Sequence, residues 1–343
     1  MRRADEAART VARLGAWRGG RTILVEFFVC AHGYRSTVAD VGIQVSTGRK
    51  YRSVDLYYVD EGERERHREH SLLGVCVSDK AWSNAPMRTV LPRDGLDQYK
   101  SGAQRARIAT EAWAQDNLYC PSCDSDSLAR TPVNTPVIDY FCPGCRATFQ
   151  LKSQCRVFSG RIVDAGYDSM IRAIRENRTP TLFALHYDPR EWAVENVIVV
   201  PHFAFPFSAI EKRPALHVGA RRAGWVGCNI RLDAIPADAR IRVVDSGTCL
   251  PREVVRQQYA RVRPLAKLDV EQRGWTLDVL NVVRSLGAEQ FSLAKVYEHA
   301  GALSRLHPQN RHIREKVRQQ LQVLRDLGLL EFLGGGRYRI YDR

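Results

Sequence analysis

The chain has 343 residues, with 44% hydrophobic side chains, a formal net charge of +14 and a pI of about 9.6. That length carries two or three compact domains. A positive surplus of that size points to a polyanionic partner, most simply nucleic acid. No run approaches the roughly 18–20 apolar residues that cross a bilayer. The apolar run at 23–30 follows a mixed-charge start unlike a signal peptide, so a secreted or membrane-spanning protein is not expected. The nine cysteines then belong to a reducing, cytoplasmic compartment, where paired Cys-x-x-Cys means metal or redox chemistry and not a disulfide framework.

Residues 1–86 are Arg-rich and uneven, with a charge run at 61–70 and short strands expected within 38–60. From Tyr99 the pattern is more regular. Residues 101–115 read as a helix, with Ile108, Ala112 and Trp113 along one side. Short apolar runs at 133–141, 147–151, 181–186 and 196–200 read as strands, and 162–176 as a helix among them. That mixture predicts an α/β core. Beyond about residue 266 the pattern changes. Helices are expected at 275–286, at 292–299 with Ser292 as N-cap, and at 308–327, stopped by Gly328. A β-hairpin follows, with strands at 330–333 and 337–341 around three glycines. Three helices and a hairpin is the winged-helix order.

Two knuckles, Cys120-Pro-Ser-Cys123 and Cys142-Pro-Gly-Cys145, are separated by eighteen residues. Each supplies two thiolates from one tight turn, the pattern of a structural Zn²⁺ with four tetrahedral ligands. Four thiolates leave no open position, so this ion does no chemistry. Cys30, Cys76, Cys155, Cys228 and Cys249 stand alone and are read as buried residues.

Around the second knuckle lie Pro136-Val-Ile-Asp139 and, eleven residues beyond Asp139, Gln150-Leu-Lys152. This resembles the PD-(D/E)xK nuclease motif. Phosphodiester hydrolysis needs a divalent ion to polarise the phosphoryl group, and Mg²⁺ prefers carboxylate oxygens. A lysine stabilises developing negative charge. Residues 150 and 152 share one strand face, where Asp139 can meet them. The second knuckle would form the turn joining the two strands, and the first would tie that turn to the end of the preceding helix.

From Tyr99 onward the chain resembles the DpnI-like, Dam-replacing family of methyl-directed restriction endonucleases. The residues that carry the resemblance are ARIATEAW (106–113), the YCPSC and FCPGC knuckles, FQLKS (149–153), DAGYDSM (164–170), RRAGWVGCNI (221–230), RGWTLDVLN (273–281) and HIREKVRQQLQVLRD (312–326). The resemblance implies a restriction-endonuclease-like PD-(D/E)xK core with an inserted four-cysteine zinc site, followed by a winged helix. It implies Mg²⁺-dependent cleavage of double-stranded DNA at GATC carrying N6-methyladenine, inside a bacterial cell. By motif position Asp139 and residue 150 are magnesium ligands and Lys152 is the catalytic lysine. Gln150 departs from the family pattern, which has Glu there. The amide keeps an oxygen donor and loses the charge, so metal affinity falls. Glu111, on the preceding helix, is a replacement carboxylate or simply an exposed helical residue.

A methylated adenine presents an apolar bump in the major groove. Trp225 is the expected reader, with Gly224 and Gly227 allowing close approach and Arg221 and Arg222 beside it for phosphate or guanine. In the last helix, Ile313, Val317, Leu321 and Leu324 face the core, and Arg311, Arg318, Gln319 and Gln322 lie opposite for DNA contact. Arg337 and Arg339 on the wing are expected at the DNA backbone.

The expected division is an extension of unknown role at 1–86, a nuclease domain at 87–266 and a winged helix at 267–343. Translation is expected to start at Met87. No protein partner is indicated, and a monomer is the working expectation. Two rivals remain: a methyl-DNA reader of the same fold with a weak or dead site, because of Gln150, and a zinc-ribbon winged-helix transcription factor.

Overall fold

The computed structural model describes residues 87–132, 135, 137–158 and 160–341, and the backbone of four strands within 1–86. Those strands are β1 (Val11–Trp17), β2 (Thr22–Phe28), β3 (Val41–Thr47) and β4 (Arg52–Tyr58), paired as two antiparallel hairpins. Cys30, Cys76 and Pro136 lie outside the described residues, and the fold does not bear on a start at Met87.

Helix α1 (Gly102–Asn117) starts where Ser101 Oγ accepts from the amide of Gln104, an N-cap that satisfies one of the otherwise free first-turn donors. Its inner side buries Ala109, Thr110, Trp113 and Ala114. The central sheet has seven strands. They are β5 (Ala129–Arg130), β6 (Tyr140–Phe141), β7 (Thr148–Gln154), β9 (Thr181–Asp188), β10 (Ala193–Val200), β13 (Ile241–Asp245) and β14 (Thr248–Cys249), in the order β14-β13-β10-β9-β7-β6-β5. Within this sheet only the β7–β9 pairing is parallel. Strand β9 is buried from Thr181 through Tyr187, as expected where both sheet faces are covered. Phe149 and Phe183 fill the core beneath, with ring centroids 5.5 Å apart.

A second sheet joins β11 (Ile210–Ala215), β12 (Val226–Arg231) and β8 (Arg161–Gly166) in that order. Strand β8 corrects the helix expected at 162–176. Ile162 and Asp164 are buried and Arg161 and Val163 exposed, a period of two. Helix α2 (Tyr167–Arg175) begins only after Gly166. The expected strand at 133–141 shrinks to Tyr140–Phe141, because the preceding chain makes a loop closed by Thr131 on Asp139 and Ile138.

Helix α3 (Arg252–Val262) leads to α4 (Val270–Ser285), which is capped by Asp269. The C-terminal unit continues through β15 (Gln290–Ser292), α5 (Leu293–Tyr297), α6 (Ala300–Leu306), α7 (Ile313–Asp326), β16 (Leu330–Gly334) and β17 (Arg337–Ile340). Ser292 is the N-cap, as expected, but that helix ends at Tyr297, a further helix follows at Ala300–Leu306, and β15 adds a third strand beside the hairpin. Gly334, Gly335 and Gly336 all take positive φ, which is why the wing turns on three glycines. Helix α4 is buried from Arg273 to Leu280. Arg273 reaches Asn177 at 2.7 Å, Asn281 reaches the carbonyl of Asp233 at 2.9 Å, and Arg284 pairs with Asp238. No helix among the described residues is long and apolar enough to cross a membrane.

Candidate functional site

The four knuckle cysteines come together. Their sulfurs all lie within 4.8 Å of one another, with Cys120–Cys145 at 3.6 Å and Cys123–Cys142 at 3.5 Å. A tetrahedron of Zn–S bonds of about 2.3 Å places sulfurs about 3.8 Å apart, so the set fits one tetrahedral ion. The second knuckle is shaped for this. The Cys145 amide donates to Cys142 Sγ at 3.4 Å, and Arg146 turns the chain at φ 65°. Burial pushes the Cys142 thiol up, but the Cys145 and Gly144 amides and Ser125 outweigh it and leave it lowered to about 6. Burial holds the Cys120 and Cys145 thiols above their ordinary value, so an ion binding there would have to displace their protons.

Helix α3 clamps the first knuckle. Arg256 donates to the carbonyls of Cys120 at 3.2 Å and Ser125 at 3.1 Å, and Arg263 to the carbonyl of Ser122. Arg252 and Arg256 share Asp126 and lie 4.9 and 5.4 Å from the Tyr119 ring centre. None of these arginines was expected at the site; they sit more than a hundred residues away from the knuckle in sequence. Of the lone cysteines, Cys228 is buried as expected, Cys249 is half-buried and Cys155 is exposed.

The second knuckle forms the turn between β6 and β7. Asp139 immediately precedes β6, and its amide donates to Phe149 at 2.9 Å. Its Oδ2 accepts from the Leu151 amide at 2.8 Å, so the carboxyl is anchored to the strand that carries Gln150 and Lys152. Asp139 is exposed as a residue, yet the enclosure of its carboxyl raises its pKa against the pull of the Leu151 amide and Lys152. Glu111 adds to the rise but is held by Arg107 at 2.7 Å and Arg130 at 3.5 Å. Helix α1 is fixed to these strands by Tyr140, whose hydroxyl donates to the Glu111 carbonyl at 3.0 Å, and by Thr110 on Ser153 at 3.0 Å.

Sequence reasoning missed Asp164. Its side chain is wholly buried and meets both Gln150 Nε2 at 2.9 Å and Lys152 Nζ at 2.8 Å through one oxygen, Oδ1. The other oxygen, Oδ2, is buried without a hydrogen-bond partner. The only signal in the sequence is the β-branched pair Ile162-Val163 ahead of Asp164, hidden by reading the segment as helix. The carboxylate that Gln150 lacks therefore has a neighbour of the right chemistry.

The candidate DNA-contacting groups are separate from this cluster in sequence. Arg221 and Arg222 are exposed on the β11–β12 connection and Trp225 is half-buried beside them. The Trp225 ring lies on two glycines paired across β8 and β12, Gly166 and Gly227. A Cβ at Gly227 would meet the ring at 2.9 Å and one at Gly166 at 3.5 Å, so a side chain at 227 would displace it. Arg222 stands over the ring at 5.4 Å. On α7, Val317, Leu321 and Leu324 are buried and Ile313 half-buried, while Arg311, just ahead of it, and Arg318, Gln319 and Gln322 on it are exposed. Gln320 is turned inward to Thr276 at 2.6 Å. On the wing Arg337 is exposed, but Arg339 is engaged by Glu331 at 3.0 Å and by Glu289 at 3.7 Å.

Residues 87–268 match the DpnI model, described as the Dam-replacing family, and residues 271–340 match the Dam-replacing HTH domain. The chain belongs to the Dam-replacing family. Membership implies a modification-dependent restriction endonuclease with a C-terminal DNA-binding helix-turn-helix, here of winged form. It sets aside the transcription factor of unrelated ancestry. Within this Dam-replacing protein, Gln150 and Lys152 meet at Asp164 Oδ1, and Asp139 is tied to the Leu151 amide that lies between them in sequence.

Proposed function

We propose that the protein is an endonuclease that cuts double-stranded DNA at GATC sites carrying N6-methyladenine. The observation that supports this most is the anchoring of the Asp139 carboxyl to the Leu151 amide, between Gln150 and Lys152 in sequence, across a turn that carries two of the four clustered cysteines, in a chain that belongs to the Dam-replacing family. The residues fit a hard divalent cation such as Mg²⁺: Asp139 offers a carboxylate, Gln150 an amide oxygen, and Asp164 keeps a buried oxygen without a partner. When bound, that cation supplies Lewis-acid polarisation of the phosphoryl group.

This chain's residues supply the rest. Asp139 is held in place by the Leu151 amide. Lys152 projects from the same strand face as Gln150 and places a positive charge where negative charge develops in the transition state. A Zn²⁺ ion among the four cysteines fixes the turn between Asp139 and Lys152 and takes no part in the reaction. Trp225, with Arg221 and Arg222, offers an apolar face flanked by cations for a methylated base. Arg311, Arg318, Gln319, Gln322 and Arg337 form a second DNA-contacting surface on the winged helix. The nuclease unit is 87–266, the winged helix is 267–343, and the protein works in the bacterial cytoplasm.

One observation favours the second reading, a methyl-DNA binder that cuts weakly or not at all: residue 150 is an amide bound to Asp164. Full-length protein, fully methylated and unmethylated GATC plasmids, and Mg²⁺ separate the two readings. Cleavage confined to methylated plasmid is expected. Tight methyl-selective binding without nicking, even at protein excess, would establish the binder instead.

A further inference from the structure

The buried pair formed by Gln150 and Asp164 resolves the missing charge at position 150. Asp164 sits on β8, and its side chain is fully enclosed. Its Oδ1 accepts from both Gln150 Nε2 and Lys152 Nζ. Its Oδ2 has no partner within the protein. The nearest thiol does not serve it, because Cys228 Sγ donates to the Ala165 carbonyl at 3.3 Å. A buried carboxylate oxygen without a donor is costly and rare, and it needs a cation or a water to complete it.

The surroundings favour a cation. The Gln150 amide has its NH₂ end committed to Asp164, which leaves its carbonyl oxygen as the free end. Asp139 contributes a second carboxylate, its Oδ2 held at 2.8 Å by the amide of Leu151, the residue between Gln150 and Lys152. The set holds two acids and one lysine. Its remaining valences are oxygen, as hard divalent ions require.

We propose that Asp164 is a direct ligand of the catalytic divalent cation in this chain, supplying through Oδ2 the second negative charge that Gln150 lacks. The proposal rests on the nuclease reading above. The metal site keeps two acids, with the second moved from β7 to β8 in the second sheet. Gln150 is then a neutral oxygen donor oriented by Asp164, and Lys152 is positioned by the same carboxylate.

The test measures Mn²⁺ binding by electron paramagnetic resonance on full-length, zinc-loaded protein, with and without methylated GATC duplex. Wild type, Asp139→Asn and Asp164→Asn are compared. Saturable binding in the wild type and at least a tenfold loss in each variant support the proposal. A loss in Asp139→Asn with none in Asp164→Asn overturns it and leaves the nuclease reading standing. Absence of binding in the wild type under both conditions overturns both. Since Asp164 is buried, the asparagine variant is checked for a native melting transition. Should it not fold, wild-type crystals soaked in Mn²⁺ decide the matter. An anomalous peak in coordination contact with Asp164 Oδ2 supports the assignment, and a peak touching Asp139 alone overturns it.

Discussion

Gln150 and Asp164 meet inside the protein at 2.9 Å, amide to carboxylate, on strands of two different sheets. A glutamate at position 150 would put two carboxylates in contact there. Like charges at that distance cannot both ionise cheaply. Gln150→Glu is therefore expected to lower the stability of the metal-free protein by about 1–3 kcal/mol. Millimolar Mg²⁺ should restore the loss, and plasmid cleavage should rise about tenfold or more. Denaturant melts with and without Mg²⁺, beside a nicking assay, check all three effects.

The four-cysteine cluster predicts a coupling between metal content and cleavage. Removal of zinc by a chelator, or Cys142→Ser, should free the turn between Asp139 and Lys152. Hydrogen exchange should accelerate first in residues 139–152, and cleavage should fall to background. Arg256→Ala should act in the same direction more mildly, because it removes donors to the Cys120 and Ser125 carbonyls. Zinc release measured with a colorimetric chelator gives the order: wild type slowest, Arg256→Ala intermediate, Cys142→Ser unable to hold the ion.

For methyl recognition, Gly227→Ala is the sharper variant. The added Cβ collides with the Trp225 ring at 2.9 Å and must displace it, while every charge stays in place. A methyl group in an apolar pocket is worth about 1–3 kcal/mol. Discrimination between methylated and unmethylated GATC should fall about tenfold in Gly227→Ala and in Trp225→Ala, with affinity for unmethylated DNA nearly unchanged. Fluorescence anisotropy with paired duplexes measures both. Equal loss on the two duplexes would make Trp225 a packing residue.

Arg318 is exposed on α7, with Glu315 beside it at 3.6 Å, and Gln322 lies one turn further on. If Arg318 meets a phosphate, its replacement by alanine lowers the salt slope of DNA binding by about one and weakens all sequences alike. Gln322→Ala should leave the slope and change sequence preference. A salt titration of each variant separates the two contributions.

Burial, reinforced by Arg273, holds His202 below its ordinary pKa of 6.5. The unfolded chain therefore takes up this proton before the folded one does. Stability rises with pH between the depressed folded value and 6.5, and the penalty is gone above 6.5. Thermal melts from pH 5 to 7 should show this slope, and His202→Gln should flatten it.

The parts of the site held by short-range spacing were legible in the sequence. Cys-x-x-Cys specifies a turn by itself, and two of them with one ion need little context. Asp139, Gln150 and Lys152 are singled out by their resemblance to the PD-(D/E)xK motif; strand parity adds only that 150 and 152 share a face. Asp164 was not legible once 162–176 was read as helix, because Tyr167–Arg175 is truly helical and its pattern masks the six-residue strand before it. The arginines of α3 were not legible for a different reason. Their partners are backbone carbonyls of the knuckle, and a carbonyl leaves no mark in a sequence. In the C-terminal unit the apolar face of α7 was read correctly, since its buried positions recur at helical spacing. Strand β15 was missed because three residues give no periodicity.

Helix α4 has a consequence for how such chains are assembled and exchanged. The two family matches part between residues 268 and 271, as though a cassette boundary lay there. Yet Asp278 of that helix binds Ser208 on one side and His307 at 2.9 Å on the other, beneath a Trp275 ring stacked on His307. One buried acid thus serves both halves. Recombination at that seam would take away one of its two partners, so a winged helix transplanted from a relative should lose stability unless its new host also brings a hydroxyl at position 208.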